Sequence, residues 1–282
     1  LKASKAKCQM ANVVGTSHAL RIAQKLKIPH FIHISSIAAA INSPFPNVSP
    51  YDLAFDRDFP DFYSESKAQA EQLVRNFVGP FGRLNVRLGI LVGDTQNGLI
   101  QRLDGPYTAI KAFESVRKML KKWPGPLPLP GKETTTLPLV PVDYAAQSIV
   151  KLVDDFVRKK DHGTYQSVHL VPKKGLEARQ FYEILLNRLG LNDKSFFFAS
   201  SSQRPKPGES SHKIPSQISI EILTKIFAKL ASRVGSFAEL PYFLQMPKFN
   251  IEETPGFLEP CPEFEMYKKV FWLGYEKYIS NS

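Results

Sequence analysis

The chain has 282 residues, 43% of them hydrophobic and 22% charged, which is enough to bury a substantial core as one large domain or as a main domain with a smaller cap. No apolar run approaches the ~20 residues that span a bilayer, and the basic stretch over residues 1–10 lacks the apolar core and small-residue cleavage site of a secretory signal. The formal charge of +11 attracts nucleic acid, anionic lipid and phosphorylated cofactors alike, while two distant cysteines, Cys8 and Cys261, without CxxC or CxxH neighbours argue against a disulfide framework or structural zinc and fit a reducing, cytoplasmic setting.

In chain order, residues 8–27 place Val13, Val14, Ala19, Leu20, Ala23 and Leu26 at helical spacing, with Pro29 as the stop. Residues 30–36 read as a short buried strand running into small residues, and Pro44, Pro46, Asn47 and Pro50 mark an irregular loop. A helix over 61–78 and an apolar, β-rich run over 83–92 follow, so the order is that of a parallel α/β sheet. Past Gly93 come a turn region, a helix over 107–122, and a proline-rich run over 123–131 that suits neither a helix nor a central strand and reads as a loop beside a cleft. Further on, a helix over 142–157 has Asp143 near its start, where a carboxylate suits the unsatisfied amides, followed by a strand over 164–171 and a helix over 176–189. Phe196–Phe198 fits a core or cap strand, 200–215 has the composition of a mobile loop, and 219–233 and 263–278 have helical periodicity. The basic clusters Arg117, Lys118, Lys121, Lys122 and Arg158, Lys159, Lys160 read as solvated helix faces. The expected division is a partial dinucleotide-binding domain over 1–95 and a substrate-binding or cap region over 96–282, of which about 138–172 packs back on the sheet.

Tyr63 and Lys67 stand four apart on a helix and share a face. An ammonium near a phenol favours the phenolate, which makes tyrosine a usable proton donor and acceptor near neutral pH. The pair alone is common on surface helices, but here Ser35 and Ser36 close the preceding strand and Asn12 lies on the helix before it. A hydroxyl at the carboxyl end of a strand in an open α/β sheet faces the ligand crevice and can polarise an oxygen that Tyr63 protonates. The six histidines form no H-x-x-x-H or H-E-x-x-H pattern and no Gly-x-Ser-x-Gly elbow surrounds a serine, so neither a metal hydrolase nor an α/β-hydrolase is supported.

With Asn12-Val-Val-Gly-Thr16, His33-Ile-Ser-Ser36, Tyr63-x-x-x-Lys67, Arg87-Leu-Gly89 followed by Val92-Gly93-Asp94, and Val140-Pro-Val-Asp-Tyr-Ala145 in that order, residues 8–170 resemble the extended short-chain dehydrogenase/reductases of the NAD-dependent epimerase/dehydratase type. Gly93-Asp-Thr-Gln-Asn-Gly98 and Leu103-Asp-Gly-Pro-Tyr107 are similar to the thioester and fatty acyl reductase branch. The resemblance implies the C-terminal portion of a Rossmann-like, doubly wound parallel sheet with a smaller, mostly helical cap. It implies an NADP-dependent reductase, NAD being the alternative, acting on a carbonyl or acyl thioester of a small acyl or lipid-like substrate. Tyr63 would be the acid/base, Lys67 would hold the nicotinamide ribose and tune Tyr63, Ser36 would orient the carbonyl, Asn12 would support a proton relay, and Leu88, Gly89 and Ile90 would lie beside the nicotinamide. No metal is implied. A sugar epimerase or dehydratase of the same superfamily and a non-catalytic binding or scaffold fragment stay open as alternatives.

Two departures bear on this. Leu88 stands where the family usually has proline, and no Gly-x-x-Gly-x-x-Gly or Gly-x-Gly-x-x-Gly occurs, since Gly79-Pro-Phe-Gly82 follows a helix and precedes a strand. With Leu1 rather than methionine at its start, the chain is expected to be truncated at its N-terminus, leaving an apolar sheet edge for a partner chain or a missing N-terminal segment to cover. No specific nucleic-acid partner is expected. Peripheral membrane contact stays open, because the aromatic C-terminal helix with Phe271, Trp272 and Tyr275 either packs or binds lipid.

Overall fold

The computed structural model describes residues 3–129, 131–159, 163–198 and 246–281, so the expectations for 200–215 and 219–233 fall outside the described residues. The chain divides into two compact units, one from Leu1–Gln101, Pro138–Gly175 and Pro247–Ser282, the other from Arg102–Leu137 and Leu176–Met246.

The first unit opens with helix α1 (Lys5–Cys8), a π-helical turn over Gln9–Val14 and helix α2 (Gly15–Lys25) in one continuous run. It ends as proline requires: Lys27 takes a left-handed φ of 54°, the Ile28 amide bonds back to the Ala23 carbonyl, and Pro29 follows. Strand β1 (His30–Ser36), a two-residue strand β2 (Asn47–Val48), helix α3 (Phe62–Asn76), strand β3 (Gly82–Leu88) and strand β4 (Ile90–Val92) come next. Asp61 starts α3 by accepting the Ser64 amide at 2.7 Å.

One expected strand over 83–92 is two in the structure, and the reason is steric. A Cβ on Gly89 would stand 2.5 Å from the Pro138 carbonyl oxygen and 2.7 Å from Val140 Cγ2. Only glycine lets the backbone leave the sheet there and pair β4 with strand β7 (Leu139–Pro141).

Helix α5 (Val142–Arg158) and strand β8 (Tyr165–Leu170) complete a three-stranded parallel sheet of order β1-β3-β8. Among the described residues β1 is hydrogen-bonded on one side only. Alternation along the strands gives the sheet two different faces. Leu84, Val86, Leu88, Val168 and Leu170 form one core with Ala145, Leu152 and Phe156 of α5. On the other face Phe31, Phe81 and Tyr165 pack with Leu20 and Ala23 of α2 and Val74 of α3. Toward the carboxyl ends of the strands that second face turns polar, with His33, Ser35, Asn85, Arg87, Ser167 and His169 all buried. A two-residue strand β11 (Lys248–Phe249) pairs with β2, and helix α7 (Phe264–Ser280) ends the unit.

The second unit holds helices α4 (Pro106–Lys122) and α6 (Ala178–Arg188) with two small strand pairs, β5 (Leu127–Leu129) with β10 (Phe196–Phe198) and β6 (Thr136–Leu137) with β9 (Leu176–Glu177). The proline-rich run is therefore partly a strand. A two-stranded parallel pair needs only alternate amides, and the Leu127 amide takes the Ser195 carbonyl at 2.8 Å while Pro128 occupies a position whose missing N–H is not required. Arg117, Lys118, Lys121, Lys122, Arg158 and Lys159 are exposed, Lys160 lies outside the described residues, and Arg117 also donates to the Leu189 carbonyl at the end of α6. Among the described residues no helix is long and apolar enough to cross a membrane.

The tightest backbone contact lies in the first unit, where a Cβ on Gly274 of α7 would overlap the carbonyl oxygen of Gly98, itself left-handed at φ 70°. We expect Gly274→Ala to cost about 1–3 kcal/mol by overpacking, read as a lower urea midpoint. Gly256→Ala, with nothing within 4 Å of the new methyl, serves as the neutral control.

Candidate active site

Helix α3 carries Tyr63, Lys67 and Glu71 at successive four-residue steps, one stripe on one face. Lys67 Nζ donates to the Ile34 carbonyl at 2.9 Å, which fastens that stripe to β1 two residues before Ser36. Ser36 ends β1, pairs in register with Leu88 at the end of β3, and its hydroxyl accepts the Ala38 amide at 3.2 Å, starting a 3-10 turn. The two adjacent serines are thereby distinguished. Ser35 is buried and donates to Glu71 Oε1 at 2.5 Å, while Ser36 lies on the opposite side of the strand and is half-buried.

Asn12 sits in the π-helical turn, a distortion that often marks functional positions. Its Nδ2 donates to Ser66 Oγ at 2.8 Å, and Ser66 Oγ donates to the Tyr63 carbonyl at 2.9 Å. Asn12 thus reaches the backbone of the Tyr63 turn, with its amide spent on Ser66. Leu88, Gly89 and Ile90 fall where β3 hands over to β4, at the carboxyl end of the sheet.

Beneath these residues lies a network that motif reading missed. Arg87 and Glu71 are both fully buried and paired at 2.7 Å, with Arg87 Nε reaching both carboxylate oxygens at 3.0 Å. The remaining guanidinium donors go to the Ser49 and Asp52 carbonyls at 3.2 and 2.8 Å. Arg87 Nη1 also stands 3.4 Å from His169 Nε2, whose Nδ1 faces the Asn250 carbonyl at 2.8 Å, so the tautomer with Nδ1 protonated satisfies both ends. The signal in the sequence was the spacing itself, since Glu71 continues the step of Tyr63 and Lys67.

Burial pushes the Lys67 ammonium below the usual lysine range against the opposing charge of Glu71. Burial would raise the Glu71 carboxyl, but the Arg87 charge and the hydrogen bonds from Arg87 and Ser35 hold it below its ordinary value. His33 is lowered to about 4, chiefly by burial and then by Lys67, and its Nε2 is buried without a partner. His169 is lowered to about 4 by burial and by Arg87.

Asp143 stands in the first turn of α5, as expected. Helix α5 has no side-chain cap, and the carboxylate instead accepts the Thr95 amide at 3.1 Å and the Thr95 hydroxyl at 2.5 Å, tying the loop after β4 to the start of α5.

A nicotinamide dinucleotide has two ends to satisfy. The donors that suit the nicotinamide–ribose end are the Lys67 ammonium, which gives one of its three N–H groups to the Ile34 carbonyl, and the Tyr63 phenol on the same helix face. The sequence offers no glycine-rich strand-to-helix turn for the pyrophosphate.

Residues 1–149 match the family model described as male sterility protein, an NAD-binding family. No curated protein matches the chain. Among solved structures the chain is similar to the terminal R domain from the myxalamid PKS-NRPS biosynthetic pathway, at 19% identity and a TM-score of 0.61 over 96% of this chain and 63% of that one. It is also similar to MoeE5 in complex with UDP-glucose and NAD (13% identity, TM-score 0.55, 96% of this chain and 72% of that chain). A third is a mutant UDP-glucuronic acid 4-epimerase from Bacillus cereus in complex with UDP-4-deoxy-4-fluoro-glucuronic acid and NAD (15% identity, TM-score 0.55, 95% of this chain and 68% of that chain). At such identities the likeness establishes the fold, a Rossmann-like α/β architecture, and the chain spans 63% of the length of the R domain.

The buried network sets an acid limit. His33 and His169 are harder to protonate folded than unfolded, so below the ordinary histidine value of 6.5 the unfolded chain takes up protons first. Stability should therefore fall as pH drops from about 6.5 toward 4, by up to roughly 3 kcal/mol per histidine, read from urea midpoints across that range. At pH 7, Arg87→Ala should cost about 3–5 kcal/mol, because it leaves the Glu71 charge buried and unpaired.

Proposed function

The chain belongs to the NAD-binding family of male sterility proteins, among the extended short-chain dehydrogenase/reductases, and from that premise we propose that it carries the reacting residues of a reductase acting on a carbonyl or acyl thioester of a greasy substrate. The observation that carries this reading is the stripe of Tyr63 and Lys67, fastened by the Lys67–Ile34 hydrogen bond to the strand that Ser36 ends. The cofactor, NADP in preference to NAD, supplies the hydride to the carbonyl carbon. The net charge of +11 supports the more anionic of the two.

Tyr63 gives its phenolic proton to the oxygen as negative charge develops there. Lys67 stabilises the phenolate that remains and offers its ammonium to the ribose hydroxyls. Ser36 holds the carbonyl oxygen within reach of Tyr63 by hydrogen bonding. Asn12, through Ser66, keeps the Tyr63 turn in place and so supports the return of a proton to Tyr63. Leu88, Gly89 and Ile90 would lie beside the nicotinamide. For an aldehyde the balance is one hydride to carbon and one proton to oxygen, giving an alcohol; for a thioester the same addition followed by loss of thiol gives an aldehyde.

In the full-length protein, Tyr63→Phe should lower kcat for reduction of a long-chain acyl thioester or aldehyde by about 10²–10⁴-fold with NADPH affinity nearly unchanged. Lys67→Ala should weaken NADPH binding by calorimetry. A Tyr63→Phe protein of full activity contradicts the assignment.

A further inference from the structure

We propose that Glu71 is a positioning residue for the Tyr63–Lys67 pair: its buried carboxylate, one helical turn past Lys67 and clamped by Arg87 and Ser35, fixes α3 on the strand ends and supplies the negative charge that keeps the Lys67 ammonium at the Ile34 carbonyl. This rests on the reading of Tyr63 and Lys67 as the reacting pair.

The argument is one of connection and of charge. Glu71 accepts from Ser35, whose neighbour is Ser36, and from Arg87, whose neighbour is Leu88. One carboxylate thus bonds to the residue before each of Ser36 and Leu88 while standing on the helix that bears Tyr63 and Lys67. A shift of α3 along the sheet would break the Glu71 bonds and the Lys67–Ile34 bond together, so the carboxylate sets the helix register.

The charges that face Lys67 are few. On its own helix Glu71 acts on it and from β1 His33, while Arg87 of β3 is paired with Glu71 and His169 of β8 stands beside Arg87. Both imidazoles are held neutral at pH 7 by burial and by the neighbouring cations. Among the described residues this network therefore contains two cations, Lys67 and Arg87, and a single anion, Glu71. Removing the charge of Glu71 would leave Lys67 and Arg87 without a counter-ion in a buried site, and the cheaper response is for Lys67 to lose its proton. A neutral amine holds the Ile34 carbonyl weakly and no longer favours the phenolate. The same stripe can therefore be folded and still be wrongly charged.

Two properties separate this from a purely structural ion pair. A structural pair would lower stability when broken and leave the titration of Lys67 alone. A positioning residue must move that titration, and with it the pH at which the site works.

The test is the titration of Lys67 in the full-length protein, followed by NMR of 13C-labelled lysine side chains and assigned by the signal lost in Lys67→Arg. In Glu71→Gln the Lys67 midpoint should fall by about one unit or more relative to wild type, and the pH profile of kcat should move in the same direction with KM for substrate nearly unchanged. Glu71→Asp, which keeps the charge, should recover most of the midpoint. If Glu71→Gln does not fold, the double variant Glu71→Gln with Arg87→Met removes both charges, is of a kind that cores tolerate, and should show a fall in the same direction but smaller, because the Arg87 cation no longer opposes the Lys67 ammonium. A Lys67 midpoint within roughly 0.2 units of wild type in a folded variant overturns the proposal. The titration needs neither cofactor nor substrate. A protein that shows the shift but reduces no carbonyl refutes the proposed reaction alone, and one that reduces carbonyls without the shift refutes the role of Glu71 alone.

Discussion

Glu71 and Arg87 meet with no exposed surface between helix α3 and strand β3, and charges so placed are tolerated only when each is fully partnered. Here they are. The carboxylate takes Ser35 and two nitrogens of Arg87, and the guanidinium spends its other donors on the Ser49 and Asp52 carbonyls beside His169. One ion pair therefore holds the helix, the centre of the sheet, the loop over 49–52 and the neighbouring strand. The segment near Asn250 joins through His169, whose carbonyl also accepts the Thr254 hydroxyl at 3.0 Å.

The two faces of the sheet divide the labour. On the α5 face aliphatic side chains of the strands meet Ala145, Leu152 and Phe156, and each large apolar side chain fully buried there contributes on the order of 1.5–3 kcal/mol. The α3 face carries its apolar cluster toward the amino ends of the strands, around Phe31, Phe81 and Tyr165, beside a buried Arg83 whose guanidinium donates to the Arg75, Phe77 and Gly163 carbonyls. Toward the carboxyl ends it exchanges packing energy for fixed charges and hydrogen bonds. That is the end at which open α/β sheets hold their ligands, and a dry polar layer there keeps donors in place without the cost of reordering them when a ligand arrives.

Much of this was legible in the sequence because the relevant signals are local. Residues 30–36 announce a strand by β-branched and aromatic content between Pro29 and small residues, and the structure returns those bounds for β1. That Tyr63 and Lys67 share a helix face and that Ser36 ends a strand was legible because four-residue spacing and strand ends are properties of short windows. What stayed hidden depends on neighbours distant along the chain. The break at Gly89 is dictated by Pro138 and Val140, some fifty residues away, so a window over 83–92 shows only a continuous apolar run. The place of Asp143 in the first turn of α5 was visible, but its bond to Thr95, 48 residues earlier, was not. The pairing of β2 with β11 joins residues about two hundred apart, and no periodicity in a two-residue strand could announce it. Glu71 lay between these cases: its spacing was visible, its partner was not.

The central claim is that the ends of β1 and β3, together with the Tyr63–Lys67 face of α3, form a nicotinamide-binding site. The most direct measurement is a titration of the isotope-labelled full-length protein with NADPH, following backbone amide and lysine signals residue by residue. The account requires saturable shifts centred on Ser36, Leu88, Gly89, Ile90 and the Lys67 side chain. Saturable shifts that spare these residues and gather elsewhere, or none in a folded protein, would contradict it.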